Sequence, residues 1–344
     1  DNQTVLLRMR SRFALIGNGV NGDLFYEAST RRASLLERVF VKVERGTGNY
    51  IYLGDLNKNS LYDENEFQPA IYDADFIAIT IPSETLYPVI DLKTGFRVKI
   101  LFRDLAEEGL SFLKPLDFIS SETTVRVEEN SKENEIENIY LLKLSYFLND
   151  KNTIRGSQSI LQDIFIFENN SDLNFRLRFN ERNSFTEFSG GAERGLLTER
   201  SLRTRLRLVR EFSIQADVML NSNNLAAPPA SLRNRKINST DFVLDFSYRP
   251  ENYIETGFII KTGVTKDEYP TTPTELKSNS QILRVNFSFA GTGRVRFEVE
   301  RVEIIKNDTE NFLPFELTNG NLVGKNYYWR LNFDYRISTN LQST

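Results

Sequence analysis

Leu173-Asn174-Phe175-Arg176-Leu177-Arg178-Phe179-Asn180 alternates without exception, with apolar residues at odd positions and polar residues at even ones. Successive side chains of a strand point to opposite faces, so this stretch predicts a strand with one apolar and one polar face. The pattern recurs downstream. Phe242, Leu244, Phe246 and Tyr248 interleave with Val243, Asp245, Ser247 and Arg249; Tyr327, Trp329, Leu331, Phe333, Tyr335 and Ile337 interleave with Tyr328, Arg330, Asn332, Asp334 and Arg336. Related segments lie at 122–129, 139–149, 159–168, 199–209, 211–221, 253–263, 280–290 and 294–305. Near the start, Leu7, Met9, Phe13 and Leu15 alternate with Arg8, Arg10 and Arg12, and a second strand is expected at 24–29.

Alternation alone suits a soluble β-sandwich and a membrane barrel equally, because both hide one face of each strand. The connections separate them. From Ile160 onward, short links at 169–172, 209–211, 250–252 and 291–293 take turns with long polar ones at 182–198, 222–238, 264–279 and 306–325. Short turns at one end and long loops at the other are what an up-and-down outer-membrane barrel requires. A strand of ten residues rising ~3.4 Å each and tilted by ~40° crosses an apolar band of about 25 Å. Tyr248, Tyr253, Tyr327, Tyr328 and Trp329 fall near strand ends, where an interfacial aromatic girdle would place them.

Composition agrees with a folded, sheet-rich chain: of 344 residues 40% are hydrophobic and 26% charged, with 26 Phe and 14 Tyr. The sequence contains neither His nor Cys, which removes disulfides, thiol nucleophiles, imidazole bases and His- or Cys-ligated metals; no enzyme is expected. A net charge of −4 gives no electrostatic case for nucleic acid. The longest largely apolar run, residues 76–82, is far below the ~18 residues of a membrane-spanning helix. Since Asp1 is preceded by no basic-then-apolar segment, any targeting sequence is expected to be removed or to lie upstream.

Three regions follow: 1–30 as the first barrel strands, 31–95 as an inserted β subdomain with strands near 39–43, 50–53 and 76–81, and 96–344 as the main meander. Apolar residues at Leu105, Leu110, Phe112, Leu113 and Leu116 have nearly helical spacing and predict a short helix over 105–118.

The sharpest local signal is residues 55–66, DLNKNSLYDENE, which fits a twelve-residue calcium loop. Asp55, Asn57, Asn59 and Asp63 offer oxygens at loop positions 1, 3, 5 and 9, Leu61 its carbonyl at position 7, and Glu66 its carboxylate at position 12. Ser60 departs from the Gly that usually makes the sharp turn, which predicts weaker binding of Ca2+. The flanks read as strands, so the loop stands alone; an Asn- and Asp-rich surface loop without metal is the alternative. Gly17, Gly19 and Gly22 spell the dinucleotide fingerprint, but no βαβ pattern follows, so a hairpin turn is expected and no nucleotide. Arg176 and Arg178, and Arg203, Arg205 and Arg207, share strand faces where Asp163, Glu168 or Asp217 can neutralise them in a lumen. Glu298 and Glu300 are spaced like a glycosidase pair, though two acids on one polar face occur by chance.

Residues 46–67 (GTGNYIYLGDLNKNSLYDENEF), 120–131 (SSETTVRVEENS) and 315–336 (FELTNGNLVGKNYYWRLNFDYR) resemble a group of large bacterial cell-surface or outer-membrane proteins, similar to those of the Bacteroidota. The resemblance implies no activity. It implies a fragment, because such proteins continue past a segment like 327–337 to a terminal aromatic residue, and this chain ends Ser343-Thr344.

The expected fold is an all-β, antiparallel, up-and-down transmembrane β-barrel with about twelve to fourteen strands in this chain and a small inserted β subdomain. The expected role is structural or transport-related, with the lipid bilayer of the bacterial outer membrane as partner. A secreted, calcium-stabilised β-sandwich adhesin or carbohydrate-binding protein is the alternative.

Overall fold

A computed structural model of the chain describes residues 6–70, 73–133, 135–228, 233–289, 293–307, 313 and 315–335. Strands dominate: β1 (Leu6–Leu15), β2 (Val20–Lys42), β3 (Tyr50–Tyr52), β4 (Phe67–Pro69), β5 (Phe76–Leu101), β6 (Ile119–Ser131), β7 (Thr153–Ile166), β8 (Leu173–Phe188), β9 (Gly191–Val209), β10 (Phe212–Ala226), β11 (Arg235–Glu251), β12 (Ile254–Asp267), β13 (Thr274–Phe289), β14 (Gly293–Lys306) and β15 (Gly324–Tyr335). They form one sheet in the order β1-β2-β5-β6-β7-β8-β9-β10-β11-β12-β13-β14-β15, with β3 and β4 off this path. The pairs whose register is resolved along this path are antiparallel. The expected all-β, antiparallel, up-and-down order is therefore present; its closure into a transmembrane barrel is a proposal. Strands β7 to β15 run 12 to 19 residues, against the ~5–6 typical of soluble proteins.

Several expectations need correction. The link 182–198 is no loop, because β8 and β9 are separated by Ser189 and Gly190 alone. Polar residues read as a loop are here strand residues whose backbone is held in the ladder and whose side chains pair, as Lys132 does with Glu187 at 2.6 Å. The other long links shorten for the same reason to 227–234, 268–273 and 307–323; the turn at 210–211 falls where expected, and the one expected at 250–252 lies at 252–253 because β11 runs on to Glu251. The link at 291–293 lies partly outside the described residues. Strand is replaced by helix at 139–149, where α2 (Ile136–Tyr140) and a 3-10 turn (Leu144–Tyr146) occur. The helix expected over 105–118 splits into α1 (Phe102–Glu107) and a 3-10 turn (Ser111–Leu116) at Gly109, whose φ is +117°. Boundaries expected at 31 and 95 fall inside β2 and β5, so the inserted piece narrows to the residues between Lys42 and Phe76.

The chain divides into two compact units. One comprises Asp1–Asp163, Phe179–Thr198 and Ser222–Lys236; the other comprises Ile164–Arg178, Glu199–Asn221 and Ile237–Thr344. In the first unit the residues between β6 and β7 fold onto one sheet face, where Ile139 and Phe147 close a core with Ala28, Ile90, Leu92 and Val127. Glu129 is fully buried beneath this cover. Its carboxyl oxygens accept hydrogen bonds from the Thr153 hydroxyl and, at 3.4 Å, from the Leu148 N–H.

The second unit carries an unusual division of faces. Phe246, Phe258, Leu283, Val299 and Trp329 stand directly opposite one another across β11 to β15. This row lies on the open face: Leu283 is 49% exposed and Trp329 73%. The opposite face shields its polar groups. Glu298 is buried between Arg296 at 3.1 Å and Arg330 at 2.6 Å, and Arg284 lies 3.6 Å from Asp245 and 3.5 Å from Glu255. Toward the far end of that face, Leu313 and, on α3 (Phe315–Thr318), Leu317 cover Ile237, Leu276, Val302 and Ile304.

Candidate metal loop and the charge network beside it

Local packing fixes the ends of the 55–66 loop. Tyr52 pairs with Phe67 across β3 and β4, and the Leu53 N–H donates to the Glu66 carbonyl at 2.7 Å. Phe67 stacks on Phe40 with ring centroids 3.8 Å apart, and Phe76, Tyr50 and Tyr52 complete an aromatic cluster beneath the loop. The loop is thus held on a rigid base by its first and last residues.

Inside it, backbone and amide groups hold the acidic side chains. Asp55 accepts from the N–H groups of Asn59 at 3.1 Å and Ser60 at 2.8 Å. Asp63 Oδ2 accepts from Asn57 Nδ2 at 2.6 Å and Asn59 Nδ2 at 2.8 Å. Glu66, fully buried, accepts from the N–H groups of Leu56 at 2.9 Å and Asp63 at 3.3 Å. Asn59 Oδ1 accepts from the N–H of Leu61, whose side chain is exposed. All six predicted residues therefore lie in one turn that satisfies its own charges. Among the described residues no three carboxylates gather as a metal cage. Ser60 has φ +59° and Lys58 +61°, so the position usually taken by Gly is indeed in the left-handed region.

Sequence reasoning gave no hint of the network beside the loop. Arg38 on β2 is only 8% exposed and joins Glu64 to Glu193 on β9, the latter at 2.8 Å. Glu193 also accepts from Arg233 at 2.7 Å, and the Arg38 guanidinium lies 4.8 Å from the Phe188 ring centroid. Arg38 and Glu193 are 155 positions apart in sequence, so no local pattern could join them. A groove bordered by Arg38, Tyr62, Asp63, Phe188 and Pro228 runs between loop and hairpin.

The remaining candidates resolve structurally. Arg203 grips Asp217 through Nε at 2.7 Å and Nη2 at 3.2 Å, as the charge pattern suggested. Arg207 lies 4.0 Å from Asp172; Arg176, Arg178, Asp163 and Glu168 are also engaged. Glu298 and Glu300 are held by Arg330, with Ser280 donating to Glu300 at 2.9 Å, which leaves them as ion-pair partners. Gly17 and Gly19 lie in the β1–β2 hairpin turn, and Gly22 sits on β2 under the Phe13 ring, where a Cβ would meet it at 2.1 Å. Of the girdle candidates, Tyr328 points to the polar face and donates to Asn321 at 2.8 Å, while Tyr327 and Trp329 stand on the open face. No family model matches this chain, and a search of curated proteins returns no match.

Proposed function

We propose that this chain forms a transmembrane β-barrel of a bacterial outer membrane, with a structural or transport-related role, and that its 55–66 loop takes Ca2+. The observation that carries the membrane assignment is the exposed row of Phe258, Leu283, Val299 and Trp329 over a face that shields Glu298, Ser280 and Asp267. Water selects the reverse arrangement: burying the charges while exposing the aromatics costs free energy on both counts. Lipid on the open side and a polar interior behind it remove both costs. Strands longer than soluble averages support the same reading, as does the short turn at 210–211.

Support for Ca2+ comes from oxygen-bearing residues at every required loop position and from the fixed ends at Tyr52 and Phe67. The ion would supply the charge that backbone and amide N–H groups now supply to Asp55, Asp63 and Glu66. The test of the whole reading is membrane fractionation of the expressed chain, followed by gel mobility with and without boiling in detergent. Outer-membrane recovery with heat-modifiable migration is expected. A soluble, heat-indifferent product would reject the barrel and favour the secreted calcium-stabilised adhesin.

A further inference from the structure

We infer that the free edge of β1 takes an additional β-strand, antiparallel to β1, whose side chains alternate between apolar and acidic. Among the described residues β1 pairs only with β2, in an unbroken register from Leu6↔Ser29 to Leu15↔Val20. Alternate N–H and C=O groups of β1 therefore face away from any partner, over ten residues with no Pro, Gly or bulge to blunt the edge. Such an edge is a template for strand addition.

The charges say what kind of strand fits. Arg8, Glu27 and Lys93 stand opposite one another across β1, β2 and β5, and so do Arg12, Asp23 and Arg97. Each row holds one acid between two cations. Arg8 is paired inward with Glu27 at 2.7 Å and Arg12 with Asp23 at 3.2 Å, yet their side chains remain 66% and 80% exposed. Arg10 between them has its guanidinium 5.8 Å from the Phe25 ring centroid. A strand bearing acids on this face would continue the alternation of charge and place each arginine between two carboxylates. On the other face, Leu7 (53% exposed), Met9 (48%) and Leu15 (55%) call for apolar neighbours. Charged side chains can also serve merely to repel strand addition, but that role needs no matching row of acids one strand away. The edge chemistry stands apart from the membrane reading.

The absence of cysteine allows a direct test on the full chain, in detergent or in buffer as its solubility requires. The probes are two synthetic ten-residue peptides, alternating Val with Glu and Val with Lys, followed by fluorescence anisotropy. The acidic peptide should bind at least tenfold tighter. The triple variant Arg8→Gln, Arg10→Gln, Arg12→Gln should lose that preference while keeping the wild-type β circular dichroism. Ser11→Cys, on exposed β1, should form a disulfide with an acidic peptide carrying a central Cys, and Asn332→Cys on β15 should not. Equal binding of the two peptides, a preference that survives in the triple variant, or capture at Asn332→Cys in place of Ser11→Cys overturns the proposal. Membrane fractionation scores the barrel separately, so the two failures are distinguishable.

Discussion

Phe297→Arg asks the chain what solvent its open face meets. Phe297 is 38% exposed and stands opposite Val285 on β13 and Leu331 on β15. It lies four residues from Gly293, where β14 begins. Four residues at ~3.4 Å and a tilt of ~40° place it about 10 Å from the start of the strand, close to the middle of an apolar band about 25 Å tall. An arginine at that depth of a bilayer costs about 2–4 kcal/mol, a factor of about 30 to 900 in the folding equilibrium. Phe289, 41% exposed and opposite Gly293, sits at the band's edge, where the same substitution costs about 0–1 kcal/mol. In water, surface substitutions of this kind stay within about 0.5 kcal/mol, whatever the depth. Urea unfolding of the two variants in lipid vesicles measures the difference. If Phe297→Arg and Phe289→Arg destabilise within about 0.5 kcal/mol of each other, the open face does not meet lipid.

For the loop, Ca2+ should raise the wild-type melting temperature relative to chelator, and Glu66→Gln should abolish that shift; an unshifted wild type removes the metal. Ser60→Gly relieves a left-handed φ of +59° and should stabilise the chain by about 0.5–1 kcal/mol even in chelator, as measured by thermal melting; a loss of stability would contradict the backbone argument.

How much of this was legible follows from what alternation encodes. A period of two is a local property, so the strands around Leu173 and Phe242 and the turn at 210–211 could be read directly. Polarity was a poorer guide to loops. The 182–198 stretch is mostly polar yet forms the end of β8 and the start of β9, because backbone pairing and ion pairs such as Lys132 with Glu187 satisfy its polar groups. The 139–149 stretch misled for the opposite reason: Ile139 and Phe147 reach a tertiary core from a helix and a turn, and the core overrode the local pattern. In the loop, residue identities and the strain at Ser60 were visible, since both depend on position within twelve residues. The Arg38 network was not, because Glu64, Glu193 and Arg233 meet only through the fold.

The most direct test of the central claim uses the chain's single tryptophan, Trp329, which stands 73% exposed in the open apolar row. Its fluorescence should be measured in vesicles of lipids brominated along the acyl chain. The account predicts blue-shifted emission, strong quenching by the bromines and protection from aqueous acrylamide. Red-shifted emission that acrylamide quenches and brominated lipid leaves untouched would place Trp329 in water and contradict the barrel.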